Sequence, residues 1–435
     1  MNDTFPATDA AGPPFIASAR SLSRGQSATL VGATALGLCG GYTALFASTT
    51  GVFLLPVAGA LGVGRGTTSA VMGLSLLGIA VGSPLAGNLM DRFGVRAVVG
   101  LSVVLFALAL SSLALGPLTV VSLSVKVFML GLLGVATSPV GYLPILARTF
   151  NRRLGLALGV ASVGLGLGST ISPVFTIAMI GRFGWQMAYL SLSGIALFLG
   201  LTALYLVYGA SATEAPSDRA GFERLKALES TELPGDSARS SLNSARFWIL
   251  GVSLALVSAV GIGNMVHIPA LLHDHGVSRP MAAAGATFAA LGVMSGRLIA
   301  GVLLDAMNAR YVAALIFFIG GIGIALLATA GASTPYAVLG LGAALTGMLV
   351  GGEGDLMPYL VRRYFGLRAF GVVYGLLVSL FSLGGLAGPI LYGAAFDHFG
   401  NYTVVLCAGT IACAAGAIGI LCIGSPQYGT RGAAV

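Results

Sequence analysis

The stretch Gly87-Asn88-Leu89-Met90-Asp91-Arg92-Phe93-Gly94-Val95-Arg96 has a counterpart later in the chain, Gly301-Val302-Leu303-Leu304-Asp305-Ala306-Met307-Asn308-Ala309-Arg310. Glycine, aspartate and arginine recur in both at an offset of 214 positions. The same offset relates Pro144 and Arg148 to Pro358 and Arg362, and further on an offset of 216 relates Pro173 to Pro389. The chain therefore contains two tandem copies of one unit.

Composition excludes an ordinary soluble domain. Of the 435 residues, 56% are hydrophobic and only 8% are charged, whereas about a quarter are charged in a typical soluble domain. Apolar runs of about 20 residues, long enough to cross a bilayer, can be placed twelve times. The predicted spans are 28–50, 67–88, 97–115, 118–147, 154–180, 186–209, 247–272, 280–304, 311–331, 336–361, 369–396 and 402–424.

The basic residues are distributed unevenly across these spans. Alternating the loops puts 17 of the 22 basic residues on one side and three, Arg65, Arg182 and Arg279, on the other. Cytoplasmic loops carry the excess of Lys and Arg, so we expect both termini in the cytoplasm and the protein in the cytoplasmic (inner) membrane. The net charge of +8 is then a topology signal, and we expect no nucleic-acid partner.

Five segments follow from the spans and their polar flanks. We predict a cytoplasmic tail over 1–26, a six-helix bundle over 27–209, a cytoplasmic linker over 210–245, a second bundle over 246–424 and a tail over 425–435. A short surface helix is expected within the linker from Asp218 to Leu228. Membrane proteins with two such repeats commonly move a solute through the interface between them.

The first repeated stretch resembles the major facilitator superfamily. In that family the segment between helices two and three reads roughly Gly-x-x-x-Asp-Arg-x-Gly-x-Arg/Lys, and Gly87, Asp91, Arg92, Gly94 and Arg96 match it. The resemblance implies an all-α membrane protein with twelve transmembrane helices in two pseudo-symmetric six-helix bundles, usually a monomer in the lipid bilayer. It also implies that the paired loops latch the cytoplasmic side. The gating residues would be Gly87, Asp91, Arg92, Arg96, Asp305 and Arg310, although the second copy has Ala306 in place of the arginine.

Three further stretches look like the monocarboxylate and oxalate/formate transporter branch. They are Thr50-Gly51-Val52-Phe53, Phe150-Asn151-Arg152-Arg153-Leu154-Gly155 and Pro358-Tyr359 with Tyr364-Phe365-Gly366. Two positions depart from that branch. Val293 stands where monocarboxylate transporters have an Asp one turn before the helix-eight Arg, and Gly384 stands where oxalate exchangers carry a Lys.

Arg297 is the strongest substrate-binding prediction. It lies eight residues before Asp305, about 12 Å inside the cytoplasmic boundary at 1.5 Å per residue and so near the middle of a core about 30 Å thick. An arginine at that depth faces a cavity or a counter-ion, and its fork can hold a carboxylate with two parallel hydrogen bonds. In the resembling branch an Arg on this helix is the anion anchor. The alternative is a structural ion pair.

Glu353 and Asp355 lie at the same depth on another helix of the same half. They precede Arg362 by nine and seven residues, which is about 13 and 10 Å. They point about 200° apart around the helix, so only one faces Arg297 easily. We expect one acid to pair with Arg297 in the empty state and to take up a proton when a substrate carboxylate displaces it. Which acid carries the proton stays open, and both could simply balance the arginines.

Several hydroxyl groups, among them that of Ser162, lie at similar depth, and they could orient a small ligand in an apolar pocket. Ser138, Tyr142 and Tyr374 are the predicted substrate-lining residues; for each of them a purely structural role is the alternative. His267 and the histidines of the loop His273-Asp274-His275 are expected to be solvated loop residues near the outer surface. Lys126 is expected to extend its ammonium to the outer interface.

The sequence has none of the common hydrolase or phosphate-binding motifs, so it predicts no enzyme, no cofactor and no metal. It predicts a secondary active transporter that moves a small organic anion, a monocarboxylate, by alternating access in symport with protons. The alternatives are an organic-anion exchanger without protons and a proton-coupled drug or metabolite exporter.

Overall fold

A computed structural model describes residues 23–116, 119–150, 153–212, 234–274, 276–330 and 334–428. Nearly all of these residues are helical. In the first half, span 1 comprises Arg24–Cys39, a π-helical turn Thr43–Ala47 and Thr50–Leu61; span 2 is Arg65–Phe93 and span 3 is Val95–Ala114; span 4 comprises Val120–Gly134, a 3-10 turn Val135–Thr137 and Pro139–Thr149; spans 5 and 6 share the helix Leu154–Ala212. In the second half, spans 7 to 12 are Ala245–Asp274, Arg279–Ala306, Ala309–Ala328, Tyr336–Tyr364, Phe370–Phe399 and Thr403–Cys422.

Within the described residues, eleven helical stretches are long and apolar enough to cross a membrane. One of them, Leu154–Val207, has 54 residues and would extend about 80 Å, far more than the hydrocarbon core of about 30 Å. Gly184 interrupts this stretch with a φ of 83°, a conformation that glycine adopts without strain. The stretch therefore supplies spans 5 and 6, and the twelve predicted spans are confirmed.

The structure extends several elements beyond their predicted ends. Span 1 begins at Arg24, and its last helical segment reaches Leu61 rather than residue 50. A short helix, Ala238–Leu242, lies in the predicted linker. The surface helix expected over Asp218–Leu228 falls outside the described residues.

The spans pack as two bundles with the same internal arrangement. In the first half span 1 packs on span 5 and span 2 on span 4; in the second half span 7 packs on span 11 and span 8 on span 10. Two further pairs, span 2 with span 11 and span 5 with span 8, join the halves. The two-bundle architecture is thus confirmed, and these two pairs bring side chains of both halves together.

The joining pairs approach each other through glycines. A Cβ on Gly87 would overlap the backbone of Gly371, and a Cβ on Gly155 would overlap that of Gly301. Small residues allow such backbone contact between membrane helices. Both contacts lie at the end of the molecule where the helices end at Phe93, Thr149, Ala306 and Tyr364. We call this end the basic face, because it carries Arg92, Arg148, Arg310 and Arg362.

Candidate functional site

An ion pair joins spans 8 and 10 deep inside the molecule. Arg297 Nη1 lies 3.7 Å from Asp355 Oδ1, and the two side chains are 12% and 0% exposed. At this distance the pair is electrostatic rather than a close hydrogen bond. Arg297 Nε and Asp355 Oδ2 are buried with no hydrogen-bond partner among the described residues. The guanidinium therefore keeps donor capacity for another anion.

Glycines fix the distance between the two helices that carry this pair. A Cβ on Gly292 or Gly296 of span 8 would overlap the backbone of span 10. Gly347 and Gly351 of span 10 lie equally close to the backbone of span 8. These four glycine contacts allow the backbones of spans 8 and 10 to pack closely. Arg297 and Asp355 therefore face each other across a short distance.

Ser162 connects this pair to the other half. Its hydroxyl donates to Asp355 Oδ1 at 2.6 Å, and Ser162 is fully buried. One turn away on span 5, Gly159 lies against the carbonyl of Arg297. The ion pair therefore lies where spans 5, 8 and 10 meet, at the junction of the two bundles. The sequence identified Ser162 only as one of several hydroxyls at this depth.

Glu353 does not lie beside Arg297. Its side chain is 1% exposed, and Oε1 has no hydrogen-bond partner in the described part of the chain. Glu353 is within electrostatic reach of Cys413 on span 12. The neighbouring Gly352 lies against Ile316 of span 9. Glu353 thus points into the second bundle, whereas Asp355 points towards the junction.

The three predicted substrate-lining residues occupy different surroundings. Tyr374 of span 11 is 1% exposed and lies within electrostatic reach of Asp355. Tyr142 is fully buried, with its ring against Gly37 of span 1 and its hydroxyl without a partner among the described residues. Ser138 donates to Val135 O at 2.6 Å and accepts from Val140 N at 3.3 Å, which caps the second part of span 4. Of the three, Tyr374 is the one within electrostatic reach of the ion pair.

Two spans of the first half are discontinuous, which the sequence analysis did not predict. Span 1 contains the π-helical turn and span 4 the 3-10 turn. The breaks are bonded to each other, because Tyr42 N donates to Thr137 Oγ1 at 3.0 Å. Tyr42 OH also donates to Ser75 Oγ of span 2 at 2.9 Å. The pairs Gly40-Gly41 and Ser138-Pro139 were the available signals for these breaks.

At the basic face, each repeated aspartate caps a helix of the opposite half. Asp91 accepts from Gly371 N and Val372 N at 3.0 Å each, at the start of span 11. Asp305 accepts from Gly155 N and Leu156 N at 2.8 Å each, at the start of span 5. A carboxylate at a helix N-terminus satisfies free N–H groups and complements the helix dipole. The two caps are equivalent under the repeat and fasten the halves together.

The arginines of the basic face differ in their surroundings. Arg148 of span 4 forms the salt bridge with Asp91, at 2.6 Å, whereas Arg92 is exposed and Arg96 is half-buried. Arg310 donates to Tyr311 OH at 2.7 Å. Arg362, the repeat equivalent of Arg148, donates to the carbonyl of Phe150 in the other half.

The histidine expectation is wrong for His267. This residue lies within span 7 and is half-buried, with Nδ1 3.0 Å from Tyr402 OH and Nε2 3.2 Å from Pro389 O. It therefore bridges spans 7, 11 and 12 rather than lying in a solvated loop. His273 is exposed, and His275 falls outside the described residues. Lys126 Nζ donates to Leu115 O at 2.6 Å, at the end of span 3.

Comparison with known proteins agrees with this architecture. The model of the Major Facilitator Superfamily matches residues 36–389, and the chain belongs to this family. It is 29% identical to monocarboxylate transporter 13 of Rattus norvegicus, over 76% of this chain and 74% of that protein. It is 26% identical to a gallate transporter of Pseudomonas putida, over 76% of this chain and 80% of that protein.

A solved structure gives the same fold. The proton:xylose symporter XylE aligns with a TM-score of 0.67 at 15% identity, covering 91% of this chain and 95% of that one. The resemblance to the superfamily, with relatives named monocarboxylate transporters, is confirmed. The protein is a multi-pass membrane transporter and not an enzyme.

Proposed function

We propose that this transporter moves a small organic anion, a monocarboxylate, across the cytoplasmic membrane by alternating access and in symport with protons. The observation that carries the proposal is the ion pair of Arg297 and Asp355, bonded through Ser162 to the other bundle. A cation and an acid with free hydrogen-bonding capacity lie together at the junction that alternating access would rearrange.

Arg297 is the proposed anion anchor. Its Nε is unpartnered and its Nη1 is 3.7 Å from the aspartate, so a substrate carboxylate can take two parallel hydrogen bonds from the guanidinium. Because the site already holds one carboxylate, the substrate competes with Asp355 for the same positive charge. Tyr374, which is within electrostatic reach of Asp355, is the proposed contact for the rest of a small substrate.

Asp355 is the proposed proton carrier. When the substrate occupies Arg297, Asp355 loses its counter-charge in a buried site, and protonation removes the cost of an unpaired buried charge. The loaded site then holds one guanidinium, one substrate carboxylate and one neutral acid. Its net charge is zero, as it is in the empty site with Asp355 ionised, so a proton that enters together with the anion leaves the charge of the site unchanged.

Protonation would also loosen the contact between the bundles. The hydrogen bond from Ser162 to an ionised carboxylate is of the charged type, worth about 1.5–3 kcal/mol, against about 0.5–1.5 kcal/mol for a neutral acceptor. Loading the site therefore weakens the bond between spans 5 and 10. This weakening supplies a physical link between occupancy of the site and movement of the halves.

The caps formed by Asp91 and Asp305 are the proposed gate. We assign the basic face to the cytoplasm by the positive-inside rule. The capped state is then closed towards the cytoplasm and awaits substrate from outside. Inward opening requires both aspartates to leave the helix starts of the opposite half.

Relatives support the substrate class. Two of them are named as transporters of monocarboxylates and of gallate, and the proposed anchor suits any small carboxylate. Obligate exchange of two anions would use the same Arg297 but would not need Asp355 to change protonation. Export of amphipathic compounds is disfavoured because the buried acid is paired with an arginine.

The test is uptake of radiolabelled small carboxylates into proteoliposomes, with and without an inward proton gradient. We expect gradient-stimulated uptake of at least one acid, abolished by Arg297→Gln. Uptake that ignores the gradient and requires internal anion would show exchange instead. Wild-type uptake by Arg297→Gln would refute the anchor.

A further inference from the structure

A proline in span 2 leaves one backbone carbonyl of that helix without its usual donor. Pro84 lies inside span 2, and proline has no N–H to donate to the carbonyl four residues earlier, which is that of Ala80. The proline ring also pushes against this carbonyl. Because Ala80 is only 8% exposed, its carbonyl oxygen needs a hydrogen-bond donor from outside its own helix.

The donor comes from the other half of the protein. Ser379 Oγ of span 11 donates to Ala80 O at 2.5 Å, and Gly375 O of its own helix lies 3.0 Å from the same hydroxyl. A serine hydroxyl has a single proton, so these two carbonyls compete for it, and the shorter distance is the one to Ala80. Gly375 permits the close approach of the helices, because a Cβ at this position would overlap the carbonyl of Ser83.

The equivalent contact between spans 5 and 8 has neither the proline nor the serine. At the offset of 214, Pro84 corresponds to Leu298, and at the offset of 216, Ser379 corresponds to Val163. Leu298 retains the backbone N–H that proline lacks, and Val163 has no hydroxyl to donate. The proline and the serine therefore occur together in one of the two contacts between the halves and are both replaced in the other. This pairing indicates that the serine serves the carbonyl that the proline frees.

We propose that Ser379 is a positioning residue for the conformational change of the transporter. Its hydroxyl holds spans 2 and 11 together while the basic face is closed, and turns back to Gly375 O when the halves separate. The opening between the halves then lets water replace the serine at Ala80 O. The hydrogen bond therefore favours the closed state, and neither group is left without a partner in the open state.

This contact is separate from the caps and from the ion pair. Ala80 precedes Asp91 by 11 residues, which is about 16 Å along span 2. The ion pair of Arg297 and Asp355 lies on spans 8 and 10, whereas Ser379 acts between spans 2 and 11. The role of Ser379 rests on the alternating access proposed above, but it depends neither on the identity of the anion nor on the residue that carries the proton.

The distance between the two halves at the basic face reports the closed and the open state. Phe93 and Met307 are equivalent under the repeat, lie in opposite halves and are 68% and 47% exposed. Spin labels are attached at these two positions in the full chain, with its four cysteines replaced by alanine. Their distance distribution is measured in lipid nanodiscs without substrate, so the result does not depend on which solute the protein transports.

Ser379→Ala should raise the ratio of the long-distance to the short-distance population at least about five-fold, because the buried carbonyl of Ala80 is then unsatisfied in the closed state alone. The same substitution in a chain that also carries Pro84→Ala should change the ratio by less than about two-fold, since alanine supplies the missing N–H. Val163→Ala, at the equivalent position of span 5, is the matched control and should leave the ratio unchanged.

Two results would overturn the proposal. One is a ratio that Ser379→Ala leaves unchanged, because the hydroxyl would then contribute nothing to the closed state. The other is an equal effect of Ser379→Ala with and without Pro84→Ala, because the serine would then act through something other than the carbonyl that the proline frees. Both results are independent of the anion-uptake experiment, which tests Arg297 and the proton gradient.

Discussion

Replacing Asp355 with asparagine separates anion binding from proton coupling. At 3.7 Å and an effective dielectric constant of about 20, the attraction between Asp355 and Arg297 is about 4–5 kcal/mol. Asparagine keeps the shape and can still accept from Ser162, but it removes the charge that competes with the substrate. Much of the attraction is offset by desolvation. A net gain of about 1–2 kcal/mol for anion binding corresponds to a five- to thirty-fold lower KM.

Asp355→Asn cannot release a proton, so net uptake driven by a proton gradient should be lost. Counterflow, in which labelled external anion exchanges for unlabelled internal anion, should persist with the lower KM. Both are measured in the same proteoliposomes. Glu353→Gln is the matched control because it removes a buried carboxylate two residues away that points into the second bundle. Gradient-driven uptake by Asp355→Asn, or its loss in Glu353→Gln alone, would refute the assignment of the proton to Asp355.

Three further experiments test the remaining parts of the mechanism. Arg297→Lys keeps the positive charge but loses the forked guanidinium that can hold a carboxylate with two hydrogen bonds. We expect its KM to rise at least ten-fold with residual transport, whereas Arg297→Gln should transport nothing. Equal activities of the two variants would refute carboxylate anchoring. Ser162→Ala removes a charged hydrogen bond of about 1.5–3 kcal/mol and should shift the population towards the inward-open state. The shift is measured by spin-label distances between spans 5 and 10. An unchanged distance distribution would show that this bond does not couple the halves. Asp91→Asn with Asp305→Asn weakens both caps, each by about 1 kcal/mol, and should widen the basic face in the same kind of distance measurement. Asp274→Asn, near the opposite end of the helices, is the control. An unaltered basic face would count against gating by Asp91 and Asp305.

The fold and the depth of the site followed from the sequence because both depend on distance along the chain. Apolar run length sets the spans, and counting back from Asp305 and Arg362 placed Arg297 and Asp355 at one level. Sequence spacing also showed that Glu353 and Asp355 point in different directions. It did not show which of them faces Arg297, because that depends on the rotation of span 10 against its neighbours.

Contacts between the halves were the part that sequence could not supply. Arg148 pairs with Asp91, and Ser162 hydrogen-bonds to Asp355 across 193 positions of sequence separation. The error about His267 has the same origin, since its partners are Pro389 on span 11 and Tyr402, the residue just before span 12. Local pattern predicts a helix and its depth, whereas such pairings arise only when the helices pack.

The repeat relates the gate residues to each other but not the residues of the site. Asp91 and Asp305 are equivalent, and so are the helix starts that they cap, so the proposed gate consists of two equivalent caps. At the offset of 214, however, Arg297 corresponds to Ser83, and Asp355 corresponds to Gly141. One half therefore carries both charged groups of the site, and the other contributes Ser162. In the proposed mechanism, this combination of a symmetric gate and a site charged on one side would let the two halves move as equals while a single protonation event is sensed at their junction.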